Sequence, residues 1–144
     1  MAKDLTPYAT GSRLNMSTIN GAYTILASDS SKVFMIDDNS AGSAYTVTLP
    51  TTLVEGTEYK FVVRQAGSLA AVVTIDAGSA STRLIDFVMK DAGGDASNST
   101  AGTSVQYMKF TATSVQGDYI NLFTDGTSWY GEAMSSINDA IDHT

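Results

Sequence analysis

Cysteine is absent from the 144 residues, so disulfide bonds and thiol catalysis are excluded. Histidine is reduced to His143, near the C-terminal end, where a solvated tail residue is expected; a histidine-based zinc site or a Ser-His-Asp triad has no well-placed imidazole to build on. Basic residues are few: 8 Lys and Arg face 15 Asp and Glu, for a net charge of −7. That sign opposes neutralisation of phosphates, so neither nucleic acid nor an anionic membrane is an expected partner. No apolar run approaches 18 residues, and MAKDLTPYAT has no apolar core behind Lys3, so neither a membrane span nor a signal peptide is expected. The glycine-rich patterns GxxxxGK and GxGxxG are missing, which removes the usual footholds of nucleotide chemistry.

What remains is apolar enough to fold. Hydrophobic residues make up 43% of the chain, and Ser and Thr together about a quarter. The length suits one domain. Residues 1–21 are polar with isolated apolar anchors at Leu5, Tyr8, Leu14 and Met16, and read as an extended N-terminal arm that orders on a partner. From Ala22 onward short apolar segments recur between Ser, Asp, Asn and Gly clusters, at 22–27, 32–36, 44–49, 58–64, 71–76, 83–89, 104–112, 117–124 and 127–132. This spacing predicts an all-β fold over 22–133, an antiparallel β-sandwich or jelly-roll-like domain. Residues 91–103 read as a long Gly/Ser/Thr/Asp loop. The tail, 134–144, contains Ser136-Ile137-Asn138-Asp139, an N-cap pattern for a helix of one to two turns. No fixed-period repeat is evident, which disfavours a solenoid.

Alternation within segments assigns faces. Tyr45, Val47 and Leu49 point to the core and Thr46 and Thr48 away from it, until Pro50 ends the strand. Asp125-Gly126 predicts a two-residue hairpin turn that pairs Thr124 with Thr127 and places Leu122 opposite Trp129. Ile120, Leu122 and Trp129 then share the core face with Phe61, while Tyr119, Asn121, Phe123 and Tyr130 lie on the other. A second face with bulky aromatics predicts a subunit contact through Tyr119, Phe123 and Tyr130. Tyr119, Trp129 and Tyr130 also suggest a carbohydrate-stacking platform, against which stands the usual burial of large aromatics. The acidic groups Asp37-Asp38, Asp91/Asp95 and Asp118/Asp125 sit where turns explain them, so no metal site and no acid-base pair is assigned. Asn98-Ser99-Thr100 matches a glycosylation sequon by chance composition. No catalytic or cofactor-binding residue emerges, and no enzyme is expected.

The order of several segments resembles a known family. Leu26 to Asp37 (LASDSSKVFMID), Ala44 to Pro50 (AYTVTLP), Glu55 to Val63 (EGTEYKFVV), Val72 to Ile75 (VVTI) and Gly117 to Tyr130 (GDYINLFTDGTSWY) are similar, in the same sequence, to the strands of small tailed-phage capsid decoration, or cement, proteins. The resemblance covers 22–132. Ser31 stands where that pattern commonly has glycine, and the 91–103 loop is longer than the pattern. The resemblance implies a homotrimeric β-sandwich without cofactor or active site, made in the host cytoplasm and carried on the outer surface of the virion's capsid, where it binds and stabilises the shell of major capsid protein. The same hairpin signature occurs in receptor- or glycan-binding modules of phage tail fibres and spikes, which is the alternative reading.

Overall fold

A computed structural model describes residues 14–38, 42–78, 84–90, 96–98 and 105–143. They form twelve strands: β1 Met16–Ile19, β2 Tyr23–Thr24, β3 Lys32–Ile36, β4 Tyr45–Thr48, β5 Glu58–Val63, β6 Val73–Asp76, β7 Leu84–Lys90, β8 Ala96–Asn98, β9 Tyr107–Phe110, β10 Tyr119–Thr124, β11 Trp129–Met134 and β12 Ile141–His143. The strands make two sheets, ordered β1-β3-β5-β10-β11-β7-β8 and β12-β9-β6-β4-β2. The expected all-β architecture is present, and each of the nine apolar segments holds a strand.

The sheets are mixed, not antiparallel as the spacing predicts. β1, β3 and β5 run parallel in the larger sheet, and β2, β4 and β6 run parallel in the smaller one. Successive strands in this half of the chain alternate between the sheets, so each strand of one sheet serves as the crossover for the other. Parallel neighbours need such a long connection, commonly a helix, and here a facing strand supplies it. The steps are unequal, since Met16 lies beside Val33 and Val33 beside Lys60, which hides the winding from a search for a fixed period. Antiparallel pairing is confined to the second half and its seams: β5 with β10, β10 with β11, β7 with β8, and β9 with β6 and β12.

Three strands lie where none is predicted. β1 falls within residues assigned to the arm and pairs with β3, so the folded region extends back to Met16. β8 falls in the predicted 91–103 loop and pairs with β7. In the tail no helix forms at 136–141. Asp139 takes a positive φ of 57°, which turns the chain, and Ile141–His143 add β12 to β9. His143 is accordingly half-buried opposite Met108 rather than a free tail residue.

A single apolar cluster joins the two sheets. Tyr45, Val47, Leu49, Phe61, Ile120, Leu122 and Trp129 are all buried in it, as their alternation predicts. Its centre is a row of rings: Phe61 stacks on Phe34 at 5.5 Å, Phe34 tilts against Tyr59 at 6.1 Å, and Tyr59 against Trp129 at 5.6 Å. Of its polar atoms the Tyr59 hydroxyl reaches backbone, while the buried Trp129 Nε1 has no hydrogen-bond partner among the described residues. Tyr59 Oη donates to the Leu26 carbonyl at 3.0 Å, and burial pushes its pKa up to about 12. Tyr45, from the smaller sheet, shares its hydroxyl proton between the carbonyls of Asp37 at 2.8 Å and Ile19 at 3.1 Å, at the ends of two strands of the larger sheet. Burial, followed by the nearby Asp37 carboxylate, raises the Tyr45 pKa well above the ordinary phenol value.

The entry to β3 shows what the turns require. Asp29 is buried, and its carboxylate accepts the Leu26 N–H at 3.0 Å and Lys32 Nζ at 2.6 Å. The hydrogen bond from Lys32 holds its pKa below the usual carboxylate value. Ser31 then adopts a φ of 66°, the left-handed region that glycine occupies without strain. At Gly78, with φ 86°, a Cβ would lie 2.9 Å from the Leu49 carbonyl oxygen, so the chain can pass the end of β4 there only without a side chain.

The packing and the turn each set a stability measurement. Trp129→Ala should destabilise the protein by about 3–5 kcal/mol in denaturant unfolding, because a fully buried indole leaves a cavity that strands cannot fill. Ser31→Gly should raise stability by about 0.5 kcal/mol, as relief of left-handed strain exceeds the added freedom of the unfolded chain; a fall in the thermal midpoint would show that the hydrogen bond from Ser31 Oγ to Glu58 outweighs the strain.

Candidate interaction face

The two sheets expose different chemistry. Beyond β4, β6 and β9 the smaller sheet presents Thr46, Thr48, Thr74, Asp76 and Lys109, a hydroxyl-rich and charged surface. The outer face of the larger sheet carries apolar and aromatic groups. Registers define its rows. Across the middle run Val33, Lys60, Asn121, Glu132 and Val88, each paired with the next on β3, β5, β10, β11 and β7. Toward the β10–β11 loop lie Glu58, Phe123 and Tyr130, and toward the opposite end Met35, Val62, Tyr119 and Met134. The face bounds an open concavity of about 700 Å³, with Leu14 and Val88 among its lining residues.

The β10–β11 connection sets the aromatic geometry. Thr124 pairs with Trp129, not with Thr127, so residues 125–128 form a four-residue loop instead of the predicted two-residue turn. The difference is two residues, one full period of a strand, and therefore leaves every side chain on its predicted face. Asp125 builds the loop: its Oδ1 accepts the N–H groups of Thr127 and Ser128, both at 2.8 Å, and its Oδ2 accepts the Tyr130 hydroxyl at 3.0 Å. The two backbone donors, then the tyrosine, draw its pKa below the ordinary value. Gly126 completes the turn with a φ of 88°. Phe123 lies 54% exposed and stacks on Tyr130, with centroids 5.5 Å apart and planes at 20°. Tyr119, half-buried, carries Lys60 Nζ 4.6 Å above its ring.

The two predicted sets of contact residues meet on this surface. Met16 pairs with Val33 and points to the same side as Phe123, and Leu14 lines the concavity; both are exposed, at 59% and 69%. Leu5 and Tyr8 lie outside the described residues. Tyr119, Phe123 and Tyr130 are together on the outer face as predicted. Trp129 is not with them: it is fully buried on the core side, so the three-ring carbohydrate platform does not exist as such. Val88, Met134, Lys60 and Glu132 belong to the face although nothing in the sequence sets them apart. Their alternation within strands is legible, but the parallel placement of β7 beside β11, which brings Val88 and Glu132 together, has no local signal.

The carboxylates occupy structural positions. Asp37 faces Arg64 at 3.6 Å, Asp38 accepts the Ala70 N–H at 2.8 Å, and buried Asp118 accepts the N–H and hydroxyl of Ser136 and the N–H of Val115. Asp91 and Asp95 lie outside the described residues, among which no three His, Asp or Glu side chains gather as a metal-binding group. No protein-family model matches this chain, and no curated protein is significantly similar to it. The outer face of the larger sheet is thus the feature on which a functional reading rests.

The Asp125 arrangement has a pH signature. A depressed carboxylate pKa contributes stability above the unfolded value of 3.8 and loses it as pH falls through the folded value. The difference in thermal midpoint between the natural protein and Asp125→Asn should be constant above about pH 5 and shrink below about pH 4. A difference unchanged down to about pH 2.5 would show that the carboxylate charge contributes nothing to the loop.

Proposed function

We propose that this chain is a structural attachment protein of the phage capsid decoration type, which binds the outside of an assembled shell and strengthens it by adding contact area. The observation that carries the reading is the asymmetry of the two outer surfaces: one is polar, while the other gathers exposed Leu14, Met16, Phe123, Val88 and Met134 around one concavity or its margins. Contiguous apolar surface of this kind marks contact with another protein. A protein that binds the assembled shell but not separated subunits shifts the assembly equilibrium by mass action, and needs area rather than catalysis. The net charge of −7 favours solubility of many copies before attachment. In this reading the shell is met at the β1 edge, where Leu14 and Met16 lead into residues 1–13, and the aromatic part of the face serves self-association. The resemblance of the segment order to that of decoration proteins favours the same assignment and implies three copies.

A glycan-binding role has one observation in its favour: the stacked Phe123 and Tyr130 rings stand beside the polar groups of Asn121 and Asp125. The two readings separate in one experiment. Heads lacking the protein are incubated with the full chain and with a version beginning at Ser17, and occupancy is measured by gel densitometry. The full chain should saturate its sites and the shortened chain should bind at least about tenfold more weakly, since two or more apolar anchors are removed. Failure of the full chain to bind heads, together with binding to cells or glycans, transfers the assignment to a fibre module.

A further inference from the structure

We propose that the outer face of the larger sheet is closed by a second copy of this chain, in a face-to-face dimer whose two-fold axis runs parallel to β10 above Asn121. The proposal takes from the reading above only that this face serves self-association, assigns it two copies instead of three, and is independent of shell binding. Its basis is the order of the middle row: Val33, Lys60, Asn121, Glu132, Val88. Outward from Asn121 the row is cationic then apolar on one side and anionic then apolar on the other. Charge is antisymmetric about Asn121 at the Lys60 and Glu132 positions; farther out the match is looser, since Val33 is buried where Val88 is exposed, and the row continues to Met16 on one side and Asn98 on the other.

That pattern is complementary to itself under one operation. A two-fold axis along β10 exchanges the two sides of the sheet while turning the faces toward each other, so Lys60 meets the partner's Glu132 and Glu132 meets the partner's Lys60. Phe123, the next outward residue of β10, lies near the axis and meets its own counterpart. An axis running across the strands would instead set Lys60 against the partner's Lys60. A three-fold arrangement does not place one patch against itself, so the trimer implied by the sequence resemblance would have to use other surfaces.

The single chain leaves these charges available. Neither Lys60 nor Glu132 forms an ion pair among the described residues; Lys60 Nζ stands over the Tyr119 ring, and Glu132 Oε1 accepts a hydrogen bond from Asn121 Nδ2 at 2.8 Å. With β5 and β11 two strands apart, about 10 Å, the two side chains do not pair with each other within one copy. Packed sheets lie about 10 Å apart, which long side chains rising from both floors can span. The floor of the concavity carries these longer groups, and exposed Leu14 and Val88 line it as well.

Charge reversal tests the pairing. The natural protein should sediment as a dimer at micromolar concentration. Lys60→Glu and Glu132→Lys, each placing like charges together twice per dimer, should weaken association at least about tenfold. An equimolar mixture of the two variants should recover the dimer, because one chain then carries carboxylates at both positions, 60 and 132, and the other carries ammonium groups at both. A natural far-ultraviolet circular dichroism spectrum and a cooperative melt of each variant alone, at a midpoint lowered only as far as loss of the dimer requires, establish that both are folded, and recovery on mixing cannot come from unfolded chains. A natural protein that stays monomeric at about 100 µM, well above the dissociation constant of a specific dimer, overturns the proposal, whether the face is then covered by residues 1–13 or by a shell. So does a mixture that dissociates as readily as either variant alone. Neither outcome bears on occupancy of heads, which is measured separately.

Discussion

The row of rings between the sheets, Phe61, Phe34, Tyr59 and Trp129, is the contact on which the rest of the fold depends. Each ring comes from the larger sheet, and each is buried only because the smaller sheet closes over it. Burial of such side chains contributes about 1.5–3 kcal/mol apiece, enough for a few residues to decide whether the sheets stay together. The tyrosine hydroxyls of the same layer are satisfied by backbone, whereas Trp129 Nε1 is buried without a partner among the described residues. The Tyr45 hydroxyl fixes the ends of β1 and β3, and the Tyr59 hydroxyl fixes the chain before the turn into β3. These bonds couple the packing of the core to the positions of the edge strands.

Position of the edge strands decides what the outer surface can do. β1 is held against β3 by its ladder and by the hydroxyl bond to Ile19, and among the described residues its other side is the edge of the larger sheet. It extends the outer face by Met16 and delivers Leu14 to the concavity. On the far side, β7 brings Val88 into the row that ends at β11. A surface that reads in the sequence as two separate features, an arm and an aromatic hairpin, is therefore one continuous face. Among the described residues no buried charge is aimed into it, and Asp125, the carboxylate nearest the aromatic pair, is occupied with its own loop.

Ser31 and the β10–β11 loop show where local rules hold and where they are modified. The chain has a non-glycine residue at a left-handed position and still forms the turn, because Ser30 Oγ accepts the Glu58 N–H and the Ser31 N–H reaches the Glu58 carbonyl. Asp125-Gly126 does turn the chain, but Asp125 accepts two backbone N–H groups beyond the glycine, which lengthens the loop to four residues. The two-residue shift in register has no consequence for burial because it equals the period of a strand.

Alternation, turn residues and ring size are local properties, and the order of amino acids alone is enough to specify their products: the strand segments between Ala22 and Glu132, the buried set around Trp129, and the outward set of Tyr119, Phe123 and Tyr130. The short strands β1, β8 and β12 carry too few alternating residues to announce themselves, and they form because a neighbouring edge offers unpaired backbone groups. The direction of pairing has no local cause and is set only when the sheets assemble. Where one face of a sheet is outward, a strand alternates in the same way whether its neighbour runs parallel or antiparallel, so nothing in residues 16–76 distinguishes hairpins from a chain that crosses between sheets at each step. That crossing brings β1 beside β3 and β3 beside β5, and with β7 beside β11 it assembles the row from Val33 to Val88, which no local pattern contains.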